Sequence, residues 1–238
     1  MFYFAEHTNV YITFAQKYTF FILTTTLELV KFFLREEWKG KHALVSAFLH
    51  IFTAVLITYL SLPGLDKALF SSVFWLVVIF TTIQGISKAF IQMRKGNFFF
   101  WQQMCTPIEF LSARLITSIC LMLAFTLFAF LVFMTMHGQL DGGGLDFLLV
   151  TIITGIGISS IFTISSSIAS KTDNPGVLLP VLSFPVILPV LLIGIKAGKD
   201  AADGLGFNAY LPELGLLMLM NTLIIALGLM LIKFIWKE

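Results

Sequence analysis

Histidine, cysteine and serine are where metal or covalent chemistry would begin in this sequence, and they are sparse. His50 and His137 both sit in apolar surroundings, His137 just ahead of an Asp141-Gly-Gly-Gly loop. Either could ligate a metal centre, although a lone histidine is more often simply hydrogen-bonded. Cys105 and Cys120 stand fifteen residues apart, which fits neither a CxxC redox pair nor a zinc spacing, so both read as small apolar packing residues. Gly157-Ile158-Ser159-Ser160 invites comparison with an intramembrane serine protease. Every histidine, however, precedes residue 138, and none lies in the last apolar segments where a general base would have to be. No GxxxxGK[ST] loop occurs, and a chain this apolar has no room for a soluble nucleotide-binding domain. The expectation is a protein that is not itself an enzyme and holds no metal; if ATP drives it, another subunit binds the nucleotide.

The elements that position these residues are apolar. Of 238 residues 58% are hydrophobic and only 12% charged, with a mean hydropathy of +0.95, which excludes an ordinary soluble domain. The net charge of +2 gives no case for nucleic acid. Six spanning segments are expected, at about Ala43 to Leu62, Leu69 to Ser87, Arg114 to Met136, Phe147 to Ala169, Val177 to Ile195 and Leu214 to Trp236. Ahead of them LELVKFFLREEWKGK sets Leu27, Val30, Phe33 and Leu34 at helical spacing, an amphipathic helix lying on the membrane surface with Trp38 at its end. Eleven basic residues fall in connections on one side and only Lys67, Lys196 and Lys199 on the other, so both termini are expected in the cytoplasm. Residues 1 to 26 form an N-terminal extension with no basic start and no A-x-A-like site, which does not read as a signal peptide; residues 27 to 238 form the six-helix membrane domain.

Three stretches stand out within that frame. The fifth span, GVLLPVLSFPVILPVLLIGI, carries Pro180, Pro185 and Pro189. Each proline deletes a backbone donor and crowds the carbonyl four residues back, so this helix should be kinked and should sit inside a bundle whose neighbours satisfy the freed groups. The fourth span spaces Gly155, Ser159, Thr163 and Ser167 four apart, a small-residue stripe suited to close helix packing, with a polar lining of a translocation path as the alternative. Between the second and third spans QMRKGN leads into FFFWQQMCTPIEFLSAR, basic and then strongly aromatic. This segment is either an aromatic belt or a short interfacial helix that a partner grips.

LELVKFFLREEWKGKHAL, the aromatic segment followed by Thr106-Pro107 and a basic residue near Arg114, and above all GVLLPVLSFPVILPVLL with IKAGKDAADG after it, resemble haem exporter protein B. That is the permease-type subunit of the bacterial cytochrome c maturation ABC transporter. The likeness runs from about Leu27 to the C-terminus, and ASKTDNPG and LIKFIWKE look closest to Bacteroidetes-type versions. The resemblance implies an all-α, six-helix, ABC-2-type permease of the inner membrane. Its implied partners are a cytoplasmic ABC-type ATPase, a haem-handling membrane protein and a small single-span subunit, with a homodimer left open. It implies no bound cofactor; haem is the ligand that would be moved, and His50 and His137 are the residues that could meet it. Many members carry an acidic residue shortly after the loop glycine, where this chain has Phe99 between Phe98 and Phe100. A permease lacking a nucleotide site must receive force through a cytoplasmic element, and Phe98, Phe99, Phe100, Trp101, Thr106 and Pro107 are the expected ATPase-docking piece. Two other classes stay open: a small-molecule carrier that needs no ATPase, and a scaffold that assembles the complex without forming a path.

Overall fold

The computed structural model describes residues 24–62, 67–91, 101, 103–138, 143–172 and 174–236. A helix over 24–39, α1, leads through Gly40 into α2 (Lys41–Ser61), followed by α3 (Lys67–Ile91), α4 (Pro107–His137), α5 (Gly144–Ala169), α6 (Pro175–Ala202) and α7 (Phe207–Ile235). Each of the six expected spans lies on one of these helices. Among the described residues α2 and α4 to α7 are long and apolar enough to cross a membrane, and α3 contributes a shorter apolar segment, Leu69–Gly85. The chain is an all-helical polytopic protein. α1 takes in residues 24–26, the last three of the expected N-terminal extension.

α5 is the axis of the bundle: 72% of its apolar window is buried, against 28% for α6. Small residues make this central position available. Gly155 lies where a methyl group would press on Met122 of α4, Gly157 leaves room for Asn221 of α7 and Val190 of α6, and Gly194 of α6 abuts Thr154. On α7, Gly228 admits Ile164. Asn221 adds a directional tie, its Nδ2 donating to the Ile153 carbonyl oxygen at 2.8 Å. At the end opposite α1, Phe70, Phe74, Phe133 and Phe147 interlock edge to face, with Phe74 and Phe147 centroids 5.2 Å apart.

The proline helix departs from its expected place. α6 runs unbroken through Pro180, Pro185 and Pro189, yet Pro185 and Pro189 are exposed while Leu179, Ser183, Ile187, Val190 and Gly194 turn inward. The element expected inside the bundle is a wall of it, and α5 holds the interior instead. The reason is helical geometry: 185 and 189 are four apart and share a face, and the aliphatic and small residues that pack best lie on the other. The carbonyls crowded by these two rings belong to Val181 and Pro185, which are themselves exposed, so the loss of backbone pairing is confined to the outer side.

Candidate functional site

Two sets of buried polar groups stand out among the described residues. Along α5 the hydroxyls are spent on their own helix: Ser159 Oγ donates to the Ile156 carbonyl at 3.0 Å, Thr163 Oγ1 to Ser159 at 2.7 Å and Ser167 Oγ to Ile164 at 2.7 Å. With Gly155 against Met122 and these three side chains buried, the geometry of the stripe favours packing over a polar path.

The other set gathers at one corner, where α1 meets α4 and the end of α7. α4 is started firmly: Pro107 occupies the first turn, Thr106 N donates to Glu109 Oε2 at 2.8 Å, and Glu109 N donates to Thr106 Oγ1 at 3.4 Å. That reciprocal pair satisfies two otherwise orphaned donors and fixes where the helix begins. Two turns on, Arg114 is buried, its side chain only 3% exposed. The guanidinium carbon lies 3.7 Å from the centroid of the Phe33 ring on α1. Its two amino groups face the α1 carboxylates, 3.7 Å from Glu36 and 3.9 Å from Glu37. α1 presents these partners because Thr26, Val30, Phe33 and Glu37 recur at helical spacing along one face, which is the face turned to the bundle. Burial pushes the Glu37 carboxyl above the usual range, and Arg114 opposes that shift.

Aromatic rings complete the corner. Trp101 stands 5.4 Å from Phe32, 5.5 Å from Phe33 and 5.8 Å from Phe110, and Phe110 stands 5.2 Å from Trp236 at the end of α7. Val30, Leu111, Leu115 and Ile232 fill the space between. Cys105 Sγ donates to the Trp101 carbonyl at 3.3 Å, and burial followed by the Glu109 charge pushes its thiol up to about 11; it stays a protonated packing group rather than a nucleophile. The three links that join α1, the Trp101 turn and α4 are thus a capping box, a buried charge cluster and a ring cluster.

Of the residues singled out in the sequence, Trp101, Thr106 and Pro107 are brought together here, whereas Phe98, Phe99 and Phe100 lie outside the described residues. His50 is half-buried on α2. His137 closes α4 among the rings of Tyr59, Phe70 and Phe133 at 5.6, 6.3 and 5.5 Å. Tyr59 lies nine residues beyond His50 on α2, about 13 Å of helix, so the two histidines stand at different depths. Among the described residues no group of three or more His, Cys, Asp or Glu side chains could hold a metal ion. Sequence reasoning counted Arg114 among eleven basic residues and as the basic residue that follows Thr106-Pro107, and missed its role as the hub of the corner. The available signal was a Glu-Glu pair on the amphipathic helix, with a lone arginine inside an apolar helix to receive it. Asn221 was also missed, although it stands in the apolar run LLMLMNTLIIALG.

A family model described as CcmB protein matches residues 26–230 and so reaches into every helix from α1 to α7. No curated protein matches the chain.

Proposed function

Because this chain belongs to the CcmB protein family, we infer that it is the membrane permease subunit of a haem-export system of cytochrome c maturation, driven by ATP hydrolysed on a separate chain. The family membership bears out the resemblance read from GVLLPVLSFPVILPVLL and its flanking motifs. The finer reading is that the corner at α1, Trp101 and α4 receives an ABC-type ATPase on the cytoplasmic side. Movement there is passed through α4 and α5 to drive delivery of haem, or release of a haem-loaded chaperone, at the outer face. A haem-handling membrane protein and a small single-span subunit complete the assembly, which sits in a bacterial inner membrane with both termini cytoplasmic.

One observation carries this reading. Arg114 ties α1 to α4 within 4 Å of both carboxylates and of the Phe33 ring, and the capping box fixes the start of α4 just beyond Trp101. A force applied to the Trp101 side of the corner therefore meets a block joined to a 31-residue helix, Pro107–His137, and not a loose loop. Aromatic side chains of this kind dominate interface energies when a partner covers them. The test changes Phe98, Phe99, Phe100 and Trp101 singly to Ala and measures how much ATPase co-purifies at wild-type yield of this chain. Loss of a covered anchor costs about 2 kcal/mol, roughly thirtyfold in affinity. Unequal losses across the four positions support the reading, and full retention in all four moves the docking surface elsewhere.

A further inference from the structure

By sequence α1 is electrically balanced, with Lys31, Arg35 and Lys39 against Glu28, Glu36 and Glu37. The fold separates these charges. Arg114 holds Glu37 against the bundle and stands 3.7 Å from Glu36, whose side chain stays 59% exposed; Lys31, Arg35 and Lys39 are all exposed and none of them forms an ion pair among the described residues. Three basic side chains on the exposed surface of α1 then face Glu28 and a Glu36 whose charge is shared with Arg114.

The apolar residues are sorted in the same way. Leu27, Lys31, Leu34 and Trp38 follow one another at spacings of four, three and four, so they share one flank. Leu27 is 49% and Trp38 73% exposed, whereas the buried stripe through Val30 and Phe33 lies on a different face. Phe32 and Glu36 occupy the opposite flank, towards Trp101. A helix fixed beside the ends of spanning helices, with leucine and tryptophan on one flank and unneutralised cations bordering them, complements a layer that is apolar inside and negatively charged at its surface.

We propose that the Leu27–Lys31–Trp38 flank of α1 is a binding surface for anionic phospholipid headgroups, with Lys31, Arg35 and Lys39 as the headgroup contacts and Leu27 and Trp38 entering the acyl boundary. Its selectivity depends on Arg114, which covers the Glu37 carboxylate and offsets part of the Glu36 charge. The flank facing Trp101 is left to the protein partner, so the two surfaces do not compete. This inference rests on the charge and burial of α1 and is independent of the ATPase-docking reading.

The experiment reconstitutes the full chain into vesicles of phosphatidylcholine alone, or with about a third phosphatidylglycerol so that the surface potential is strongly negative. A polarity-sensitive fluorophore is attached at Leu27→Cys in a Cys105→Ser, Cys120→Ser background. Emission should shift to the blue when phosphatidylglycerol is present and return towards the phosphatidylcholine value in high salt. Arg35→Gln should weaken the equilibrium for the anionic surface about fivefold, the Lys31→Gln, Arg35→Gln, Lys39→Gln triple variant should give the same spectrum in both vesicles, and Glu28→Gln should enlarge the shift. Equal emission from the labelled chain with Lys31, Arg35 and Lys39 intact in both vesicles overturns the proposal. So does a phosphatidylglycerol response that survives in the triple variant, or a shift that appears only when the ATPase is added.

Discussion

Replacing Arg114 by Met should detach α1 from the bundle while leaving the spanning helices in place. At an effective dielectric of about 20, a unit pair near 4 Å is worth about 4 kcal/mol before desolvation is subtracted. The Glu36 side chain is 59% exposed and the Glu37 side chain 18%, so the first pairing falls towards the surface range of about 0–1 kcal/mol and the second keeps more of its strength. The guanidinium over the Phe33 ring adds up to about 2 kcal/mol in a desolvated setting. Breaking such a cluster typically costs about 3–5 kcal/mol, because a buried charge is left uncompensated; the exposure of Glu36 puts this case at about 3 kcal/mol, roughly 150-fold in the opening equilibrium. Hydrogen exchange of the backbone amides reads that number locally: α1 should exchange about a hundredfold faster and α5 at its former rate. Glu37 supplies a pH test of the same reasoning. Its carboxyl is raised by burial and held down by Arg114, so without Arg114 its folded value rises further. Protection of α1 in Arg114→Met should then be fullest below the ordinary carboxylate range and lost as pH rises through the raised value. Unchanged exchange in α1, or protection that improves with rising pH, would refute the account of the corner.

Other expectations follow from the same packing. Gly157→Ala places a methyl group against Asn221 Oδ1 and should destabilise the bundle by about 1–3 kcal/mol, read as a lower melting temperature in detergent. Gly176→Ala, with open space around it, is the matched control and should not lower it. Thr106→Ala removes the cap from α4 and should cost about 1 kcal/mol, recovered by Thr106→Ser and seen as faster exchange in the first turn of α4. Pro185→Ala with Pro189→Ala restores two backbone donors on an exposed face. That double variant should insert at normal yield and mature cytochrome c poorly if the softened outer wall of α6 takes part in movement, and normal maturation would remove the prolines from the mechanism. Reporter fusions at Gly143 and Lys237 should give opposite signals, and a shared side would contradict the alternating topology.

Much of this architecture was written in apolar run lengths and basic residues, because both report on a bilayer without knowledge of which helices touch. The five long apolar helices and the shorter apolar segment of α3 were legible for that reason, and the small residues of α5 were legible from their spacing. What the sequence hid was which face of each helix is turned inward. The prolines of α6 marked an unusual backbone, but only the positions of Ile187, Val190 and Gly194 around the helix reveal that Pro185 and Pro189 turn outward. Arg114 was hidden for a similar reason: its partners lie nearly eighty residues earlier, a separation no local pattern spans. The aromatic segment was legible as a feature, and the share of it that falls on Trp101 proves to be engaged within the chain by Phe32, Phe33 and Phe110.

The central claim is that hydrolysis on another chain acts through this one. Its most direct test measures covalently attached haem on a c-type cytochrome in cells lacking the natural copy of this chain, complemented with it, and carrying the ATPase either intact or with its phosphate-binding lysine replaced. The account predicts full attachment with the intact ATPase, and background attachment with the inactive ATPase even though it still co-purifies with this chain. Full attachment with the inactive ATPase bound would contradict it and leave a carrier that works without ATP.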